Sequence, residues 1–311
     1  MTGNDVLVIT GPTATGKTEL GVALAESLGG EVVSADSMQV YKYMDIGTAK
    51  PSEDEMRGIP HHMLSVVSPF EKYSVSQYVE GASRCVDDIL SRGKVPVIVG
   101  GTGLYIESLI LGRDFAGSGA DPALREKLSA EYDALGGEKM LEKLREYDPK
   151  RAEKLHPNDK KRIIRALESA EGGLTITEHD AKTRLNPPRY NVKIIVLGFE
   201  ERSVLYGRID RRVDAMMERG LVGEVRSLLQ MGLTAEHTAM QAIGYKELVQ
   251  AFGGGISLDA AVEDIKRGSR RYAKRQTSWC ARYENALRIN WKNSPDIDSG
   301  IRDSTFFWNE R

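Results

Sequence analysis

The sequence predicts an α/β fold: a P-loop parallel-sheet core flanked by helices, with an all-helical insertion domain. Three observations predict it. A short apolar run at Val6–Thr10 leads straight into a glycine-rich loop that opens a helix. Strand and helix signals then alternate as far as Val99. After Gly112 the strand signal vanishes, and it returns only at Val192.

Each element has its own justification. Val6–Thr10 has no polar face, as suits a strand covered on both sides. Leu20 to Leu28 carries apolar residues at helical spacing and ends on Gly29-Gly30, a C-cap signal. Glu31–Ala35 is a second short strand, Ser76–Leu90 a helix stopped by Gly93, and Val95–Val99 a third strand closed by Gly100-Gly101. Strand, helix, strand, helix, strand is the rhythm of a parallel sheet. Asp121–Ala134, Glu138–Glu146 and Asn158–Glu171 are charged helical segments, followed by the loop Asn186-Pro-Pro-Arg189. Val192–Leu197 is again a strand, and helices are expected at 203–219, 221–231 and 258–283. The expected organisation is a discontinuous catalytic core at 1–112 and 191–291, a helical insertion at 113–190, and a loose tail at 292–311.

Composition sets outer limits. With 311 residues, 41% apolar and 28% charged, the chain has ample material for a packed core, and global disorder is excluded. No apolar run reaches the ~18 residues of a membrane span. Met1 to Asp5 lack the basic start of a signal peptide, so a cytoplasmic enzyme is expected, a monomer by default. Cys85 and Cys280 are too few for a disulfide framework or a multi-thiolate zinc site. Net charge is only −2, but it is graded: −6 over 1–112, +1 over 113–192 and +3 over 193–311.

Gly11-Pro12-Thr13-Ala14-Thr15-Gly16-Lys17-Thr18 fits G-x-x-x-x-G-K-[ST] between a strand and a helix, the context that motif requires. The backbone curls so that several N–H groups face one anion, and the helix N-terminus adds partial positive charge. Lys17 adds a full charge, and the Thr18 hydroxyl is a Mg²⁺ ligand candidate. Nucleotide and ATP sites use the same loop, but they normally end a later strand with a Mg²⁺-holding Asp. Here that strand ends in Gly100-Gly101-Thr102-Gly103. A carboxylate stands instead after the second strand, at Asp36, where it either caps a turn or acts in chemistry beside the loop. This pattern suits a diphosphate that leaves rather than a phosphoryl group that is transferred.

Two segments could meet a polyanion. Lys160-Lys161-Arg162-Ile163-Ile164-Arg165 starts a helix in the insertion. Lys266-Arg267, Arg270-Arg271 and Lys274-Arg275 recur every four residues on one helix face, with Tyr272 and Trp279 interleaved and no acid between Ile265 and Arg282. A solvated basic face is the plain alternative; bound RNA or DNA would relieve the repulsion and release counterions. Arg208, Arg211 and Arg212 open a helix that follows a core strand, where one could hold a diphosphate or pair with Asp210, Asp214 or Glu218. His61-His62 lacks further metal ligands at suitable spacing and reads as structural.

Several of these stretches together resemble the bacterial tRNA dimethylallyltransferase (tRNA isopentenyltransferase, IPP transferase) family. They are the loop at 11–18, Ser-Ala-Asp-Ser-Met-Gln-Val-Tyr at 34–41, Asp-Ile-Gly-Thr-Ala-Lys-Pro at 45–51, Pro-His-His at 60–62 and Gly-Gly-Thr-Gly-Leu-Tyr at 100–105. His-Pro-Asn-Asp at 156–159, Gly-Tyr at 244–245 and Lys-Arg-Gln-Thr-Ser-Trp at 274–279 belong to the same set. The resemblance implies transfer of a dimethylallyl group from dimethylallyl diphosphate to N6 of adenosine 37 in tRNA. It also implies a Mg²⁺ requirement and an insertion that grips the anticodon stem-loop. It assigns Asp36 as general base, with Lys17, Thr18, Thr102 and Arg212 handling diphosphate or acceptor. It assigns tRNA contacts to Asp36, Ser37, Met38, Gln39, Thr102, Arg125, Lys161, Arg162, Ile163, Ile164 and Arg165. Further tRNA contacts fall on Gln241, Gly244, Arg271, Lys274, Arg275 and Gln276. At Lys161 this chain departs from the usual Gln.

Three rivals share parts of the pattern. An adenylate dimethylallyltransferase acting on free AMP, ADP or ATP needs the loop and Asp36 but no insertion. A small-molecule kinase needs the loop and an acidic strand end. An RNA-binding protein with a vestigial loop needs only the basic faces.

Overall fold

The computed structural model describes residues 4–112, 121–184 and 188–310. The first half of the core runs β1 (Asp5–Thr10), α1 (Lys17–Ser27), β2 (Glu31–Ser34), α2 (Glu53–Met56), β3 (His61–His62), α3 (Val75–Ser91), β4 (Pro96–Val99) and α4 (Gly103–Ile110). The insertion contributes α5 (Pro122–Leu135), α6 (Gly137–Tyr147), α7 (Pro149–Ala152), α8 (Lys160–Glu171) and α9 (Ile176–Arg184). The core resumes with β5 (Asn191–Phe199), α10 (Arg202–Glu218), α11 (Leu221–Gln230), a 3₁₀ turn (Ala239–Gln241), α12 (Tyr245–Phe252), α13 (Leu258–Cys280), β6 (Leu287–Trp291) and α14 (Ile297–Asn309). Residues 1–110 and 190–311 form one compact unit, and 111–189 a second. Among the described residues no helix is long and apolar enough to cross a membrane.

The described strands form one parallel sheet in the order β3-β2-β4-β1-β5-β6. β1 lies at its centre, with Val8 opposite Ile98 of β4 on one side and Ile194 of β5 on the other. Its apolar run without a polar face follows from that position: side chains alternate between two buried faces. Leu7 and Ile9 pack with Leu20, Leu24, Leu197 and Trp291 on one face. Val6 and Val8 pack with Val33, Tyr78, Val86 and Ile106 on the other. A third cluster joins α10, α11, α12 and α13 to Val40, Tyr41 and Met44, with Tyr245 fully buried in it.

The insertion unit has its own small core of Leu128, Met140, Leu144, Ile163 and Leu167. Asp121 caps α5 by accepting from the Ala123 and Leu124 amides. Asp148, buried, accepts from the Arg151 amide and from the Thr177 amide and hydroxyl, which fixes the α6–α7 corner against α9.

One expectation needs correcting. Residues 292–310 are not a loose tail. Asp296 caps α14, and Trp308 is buried among Leu20, Leu24 and Trp291. The Lys193 ammonium donates to the Phe307 and Trp308 carbonyls at 2.6 and 3.2 Å, closing the helix end. The apolar spacing Ile297, Ile301, Trp308 is the sequence signal of this buried helix face. His61-His62 is structural: it forms an edge strand paired to β2, and His62 Nε2 meets the buried Glu31 carboxylate at 2.8 Å. Residues Asn186 and Pro187 of the expected 186–189 loop lie outside the described residues.

Candidate active site

In a parallel sheet every strand presents its C-terminal end to one edge, and ligands bind there. At that edge the loop after β1, the turn after β2 and Gly100-Gly101 after β4 border one cavity of about 1130 Å³. Side chains from α10 and α13 complete its walls, among them Arg208, Arg211, Arg212, Tyr272 and Arg275.

The glycine-rich loop is held by its own carbonyls. The Pro12 carbonyl accepts from the Thr15 hydroxyl at 2.8 Å and from the Lys17 ammonium at 2.7 Å. Arg208 Nε donates to the Ala14 carbonyl and Trp291 Nε1 to the Thr15 carbonyl, both at 3.0 Å. Gly16 caps α1 at φ +86°, a left-handed conformation that a side chain would oppose. The first amides of α1 have no partner within the helix, so the loop offers a ligand N–H groups and positive charge. Thr13 to Thr18 line the cavity, whereas Gly11 and Pro12 are buried. Pro12 supports the loop from within through its carbonyl.

Burial and the neighbouring Arg212 push the Lys17 ammonium down to about 8, against the opposing pull of Asp36. Arg212 is itself lowered by burial, with Asp36 and Glu55 as its nearest counter-charges. Two cations at close quarters, neither neutralised by a full ion pair among the described residues, make a site that gains from an added anion.

Asp36 follows β2 on a tight turn. Its Oδ1 accepts from the Met38 amide at 2.8 Å and the Gln39 amide at 3.3 Å. Both bonds fall on Oδ1, which leaves Oδ2 for a substrate in the cavity that Asp36 lines. Ser37, Met38 and Gln39 line it as well. Thr102 spends its hydroxyl on the turn, accepting from the Ser37 amide at 3.0 Å and donating to Ser37 Oγ at 3.3 Å. Thr102 therefore holds the Asp36 turn.

α13 joins two parts of the site. Gln276, buried, accepts from the Thr13 amide at 2.9 Å and donates to the Gly101 carbonyl at 3.0 Å. It ties the phosphate loop to the β4 loop. The basic face of α13 is divided. Lys266 pairs with Asp214 at 2.7 Å, Arg270 with Asp210, and Arg267 with Asp264. Arg271, Lys274 and Arg275 are exposed, and Arg275 also stands over the Tyr272 ring. Of Gln241 and Gly244, both at the cavity wall, Gly244 is buried and gives its amide to Glu247. Gln241 bonds the Ala235 carbonyl.

In the insertion unit, Lys161 and Arg162 are exposed on α8. Arg125 and Arg165 converge on the buried Glu168 carboxylate at 2.8 and 2.9 Å. Ile163 and Ile164 are buried in the insertion core, so the tRNA contacts expected of their side chains are corrected: they are the apolar face of the helix whose polar face bears the cations. Sequence reasoning missed Glu224, whose carboxylate anchors the loop at 45–47. A lone acid on a helix carries no signal of such a partner.

Comparison with known proteins adds independent findings. The family model described as IPP transferase matches residues 39–283, and that described as isopentenyl transferase matches 4–66. A tRNA dimethylallyltransferase of Acetivibrio thermocellus is 48% identical over 297 residues, covering 95% of this chain and 94% of the relative. One from Caldanaerobacter subterraneus subsp. tengcongensis is 49% identical over 281 residues, 90% of this chain and 89% of the relative. The full-length tRNA isopentenylpyrophosphate transferase of Bacillus halodurans superposes with a TM-score of 0.73 at 39% identity, covering 97% of this chain and 95% of that one. A eukaryotic dimethylallyltransferase acting on tRNA superposes with a TM-score of 0.82 at 29% identity, covering 97% of this chain and 78% of that one.

Proposed function

The chain belongs to the IPP transferase family, and from that premise we propose that it carries a dimethylallyl group from dimethylallyl diphosphate to N6 of adenosine 37 in tRNA. Transfer of a dimethylallyl group to tRNA is the activity that its relatives' names carry. The observation that supports the finer reading is that the phosphate loop and the half-buried Asp36 border the same cavity. One can hold what departs while the other activates what attacks.

The adenine amine is a weak nucleophile because its lone pair is delocalised into the ring. Oδ2 of Asp36 takes an amine proton as nitrogen bonds to the allylic carbon, while the carbon–oxygen bond to diphosphate breaks. A positioned carboxylate base contributes ~10²–10⁴-fold. The loop amides, Lys17 and Arg212 stabilise the growing charge on the diphosphate. To reach Asp36 the base must leave its stack. The exposed Arg271, Lys274 and Arg275 of α13, and Lys161 and Arg162 of the insertion, suit RNA phosphates.

Mg²⁺ fits the donors present. Thr18 offers a hard hydroxyl oxygen at the cavity, and this ion takes most of its shell from phosphate oxygens and water. Among the described residues no cluster of three or more His, Cys, Asp or Glu side chains could hold a metal ion, so the diphosphate would bring most of its ligands. When bound, it would neutralise charge on the departing group.

Mass spectrometry of tRNA nucleosides after incubation with dimethylallyl diphosphate and Mg²⁺ tests the reading. Dimethylallyladenosine at position 37 is the expected product. Modification of free AMP with tRNA untouched would replace the reading with an adenylate dimethylallyltransferase.

A further inference from the structure

Four hydrogen-bond donors converge on one carboxylate outside the cavity. Glu224, in the first turn of α11, accepts from the Asp45 and Ile46 amides through Oε2 at 2.8 and 2.7 Å. Through Oε1 it accepts from the Gly47 amide at 3.0 Å and the Tyr245 hydroxyl at 2.6 Å. Three successive amides on one carboxylate fix a loop far more tightly than one contact would, because each bond is charge-assisted and shares the same anchor. Tyr245 is fully buried, and Gly47 lies so close that a Cβ there would stand 2.5 Å from its ring. From the other side the buried Lys50 ammonium donates to the Tyr41 carbonyl and Ser65 Oγ, both at 2.8 Å, and pairs with Asp45.

The anchored loop leads to the Asp36 turn. Its Thr48 and Ala49 carbonyls accept from Gln39 Nε2 at 3.2 and 3.1 Å, and Gln39 Oε1 accepts from Ser34 Oγ at 3.1 Å. The Gln39 amide in turn donates to Asp36 Oδ1. Three sets of hydrogen bonds, joined through the 47–49 backbone and through Gln39 itself, thus connect Glu224 to Asp36. Gly47, Thr48 and Ala49 line the cavity, and Glu224 does not.

We infer that Glu224, seconded by Tyr245, is a positioning residue for the transfer reaction, setting the 45–49 loop and through Gln39 the carboxylate that acts on the acceptor amine. The inference rests on the proposed role of Asp36. Its physical basis is that a reactive group displaced by about 1 Å loses on the order of 10²-fold in rate while its ligands still bind. Glu224→Gln keeps size and shape but turns an NH₂ toward the amide donors, so at least one amide is left unpaired.

The test has two arms. Single-turnover rates at saturating tRNA and dimethylallyl diphosphate should fall ~10–100-fold in E224Q, the range seen when a group that orients a reactive ligand is lost, with both KM values within about twofold of wild type. Glu224→Asp should recover part of the rate. Tyr245→Phe, which removes one donor and keeps the carboxylate, should lose ~3-fold, and it carries the test if E224Q fails to fold. In the second arm, amide hydrogen exchange at 45–49 should quicken in E224Q while β1 and β4 stay protected. This arm needs no turnover, so it stands even if dimethylallyl diphosphate proves to be the wrong donor. Rates unchanged within twofold in either folded variant would overturn the inference. So would a fall in which both KM values and the melting temperature move in step with the rate, because that marks a purely structural residue.

Discussion

Lys17 and Asp36 carry opposite charges to the same cavity, and each has a distinct test. Lys17 is lowered to about 8, mainly by burial. Between there and the ordinary lysine value the unfolded chain holds a proton that the folded chain lacks. Stability of the free protein therefore rises with pH across that window, and below about 8 the buried charge is a penalty. Lys17→Met should melt a few degrees higher than wild type at pH 7, with the gain gone by about pH 10, as scanning calorimetry will show. The same variant should lose ~10²–10³-fold in kcat, the range for removing one preorganised donor to a developing anion. Diphosphate binding should also take up a proton above pH 8, measurable by titration calorimetry in buffers of different ionisation enthalpy. At this scale the sequence exposes residue type but not direction. The phosphate loop and Asp36 were legible because strand-end position fixes where they go. Ile163 and Ile164 sit inside a basic run, yet with Leu167 they follow the apolar spacing of a buried stripe. Gln276 stood in a basic run, and only coordinates reveal that it points inward, between Ala273 and Cys280.

At the scale of elements, α13 couples two tasks. One end of its surface offers Arg271, Lys274 and Arg275, while Gln276 grips the phosphate loop from beneath. Asp210 and Asp214 of α10 neutralise Arg270 and Lys266, which confines the free positive charge to the later turns. Reversing charge at Arg271 and Lys274 together should raise KM for tRNA about tenfold or more at moderate salt and flatten its salt dependence by up to two phosphate contacts. KM for dimethylallyl diphosphate should stay within twofold in steady-state assays. Gln276→Ala should do the reverse, loosening Thr13 and raising the donor KM with little change in that for tRNA. Helix existence was legible from apolar spacing, and the observed α13 begins where it was expected. Division of its charged face was only partly legible: Asp264 pairs with Arg267 at i,i+3, but Asp210 and Asp214, which neutralise Arg270 and Lys266, lie on another helix where no local rule sees them.

At the scale of the whole molecule, one sheet must stay intact for its C-terminal edge to hold the site. Two features far from that edge secure it. Glu31, buried at the start of β2, is bonded by Arg92 at 2.5 Å and by Lys94 and His62 at 2.8 Å, and the Arg92 hydrogen bonds hold its carboxyl well below the usual range. A depressed carboxyl contributes stability that is present above the unfolded value and lost as pH falls through it. Glu31→Gln should cost about 1–3 kcal/mol at neutral pH and flatten the acid limb below about pH 4 in denaturant titrations. Trp308 closes the opposite flank against α1, and Trp308→Ala should cost about 3–5 kcal/mol. The alternation of strands and helices made the parallel core legible from sequence. The edge strands β3 and β6 are not legible, because His61-His62 and Leu287–Trp291 lack the unbroken apolar run that marks the central strands.

The central claim is that the carboxylate after β2 and the loop after β1 serve one reaction. Rapid-quench single-turnover of isotopically labelled dimethylallyl diphosphate with tRNA, comparing wild type with Asp36→Asn, tests it most directly. The account predicts a chemical step slowed by ~10²–10⁴-fold, with tRNA affinity and donor affinity both retained. A step of wild-type speed in the asparagine variant would contradict it.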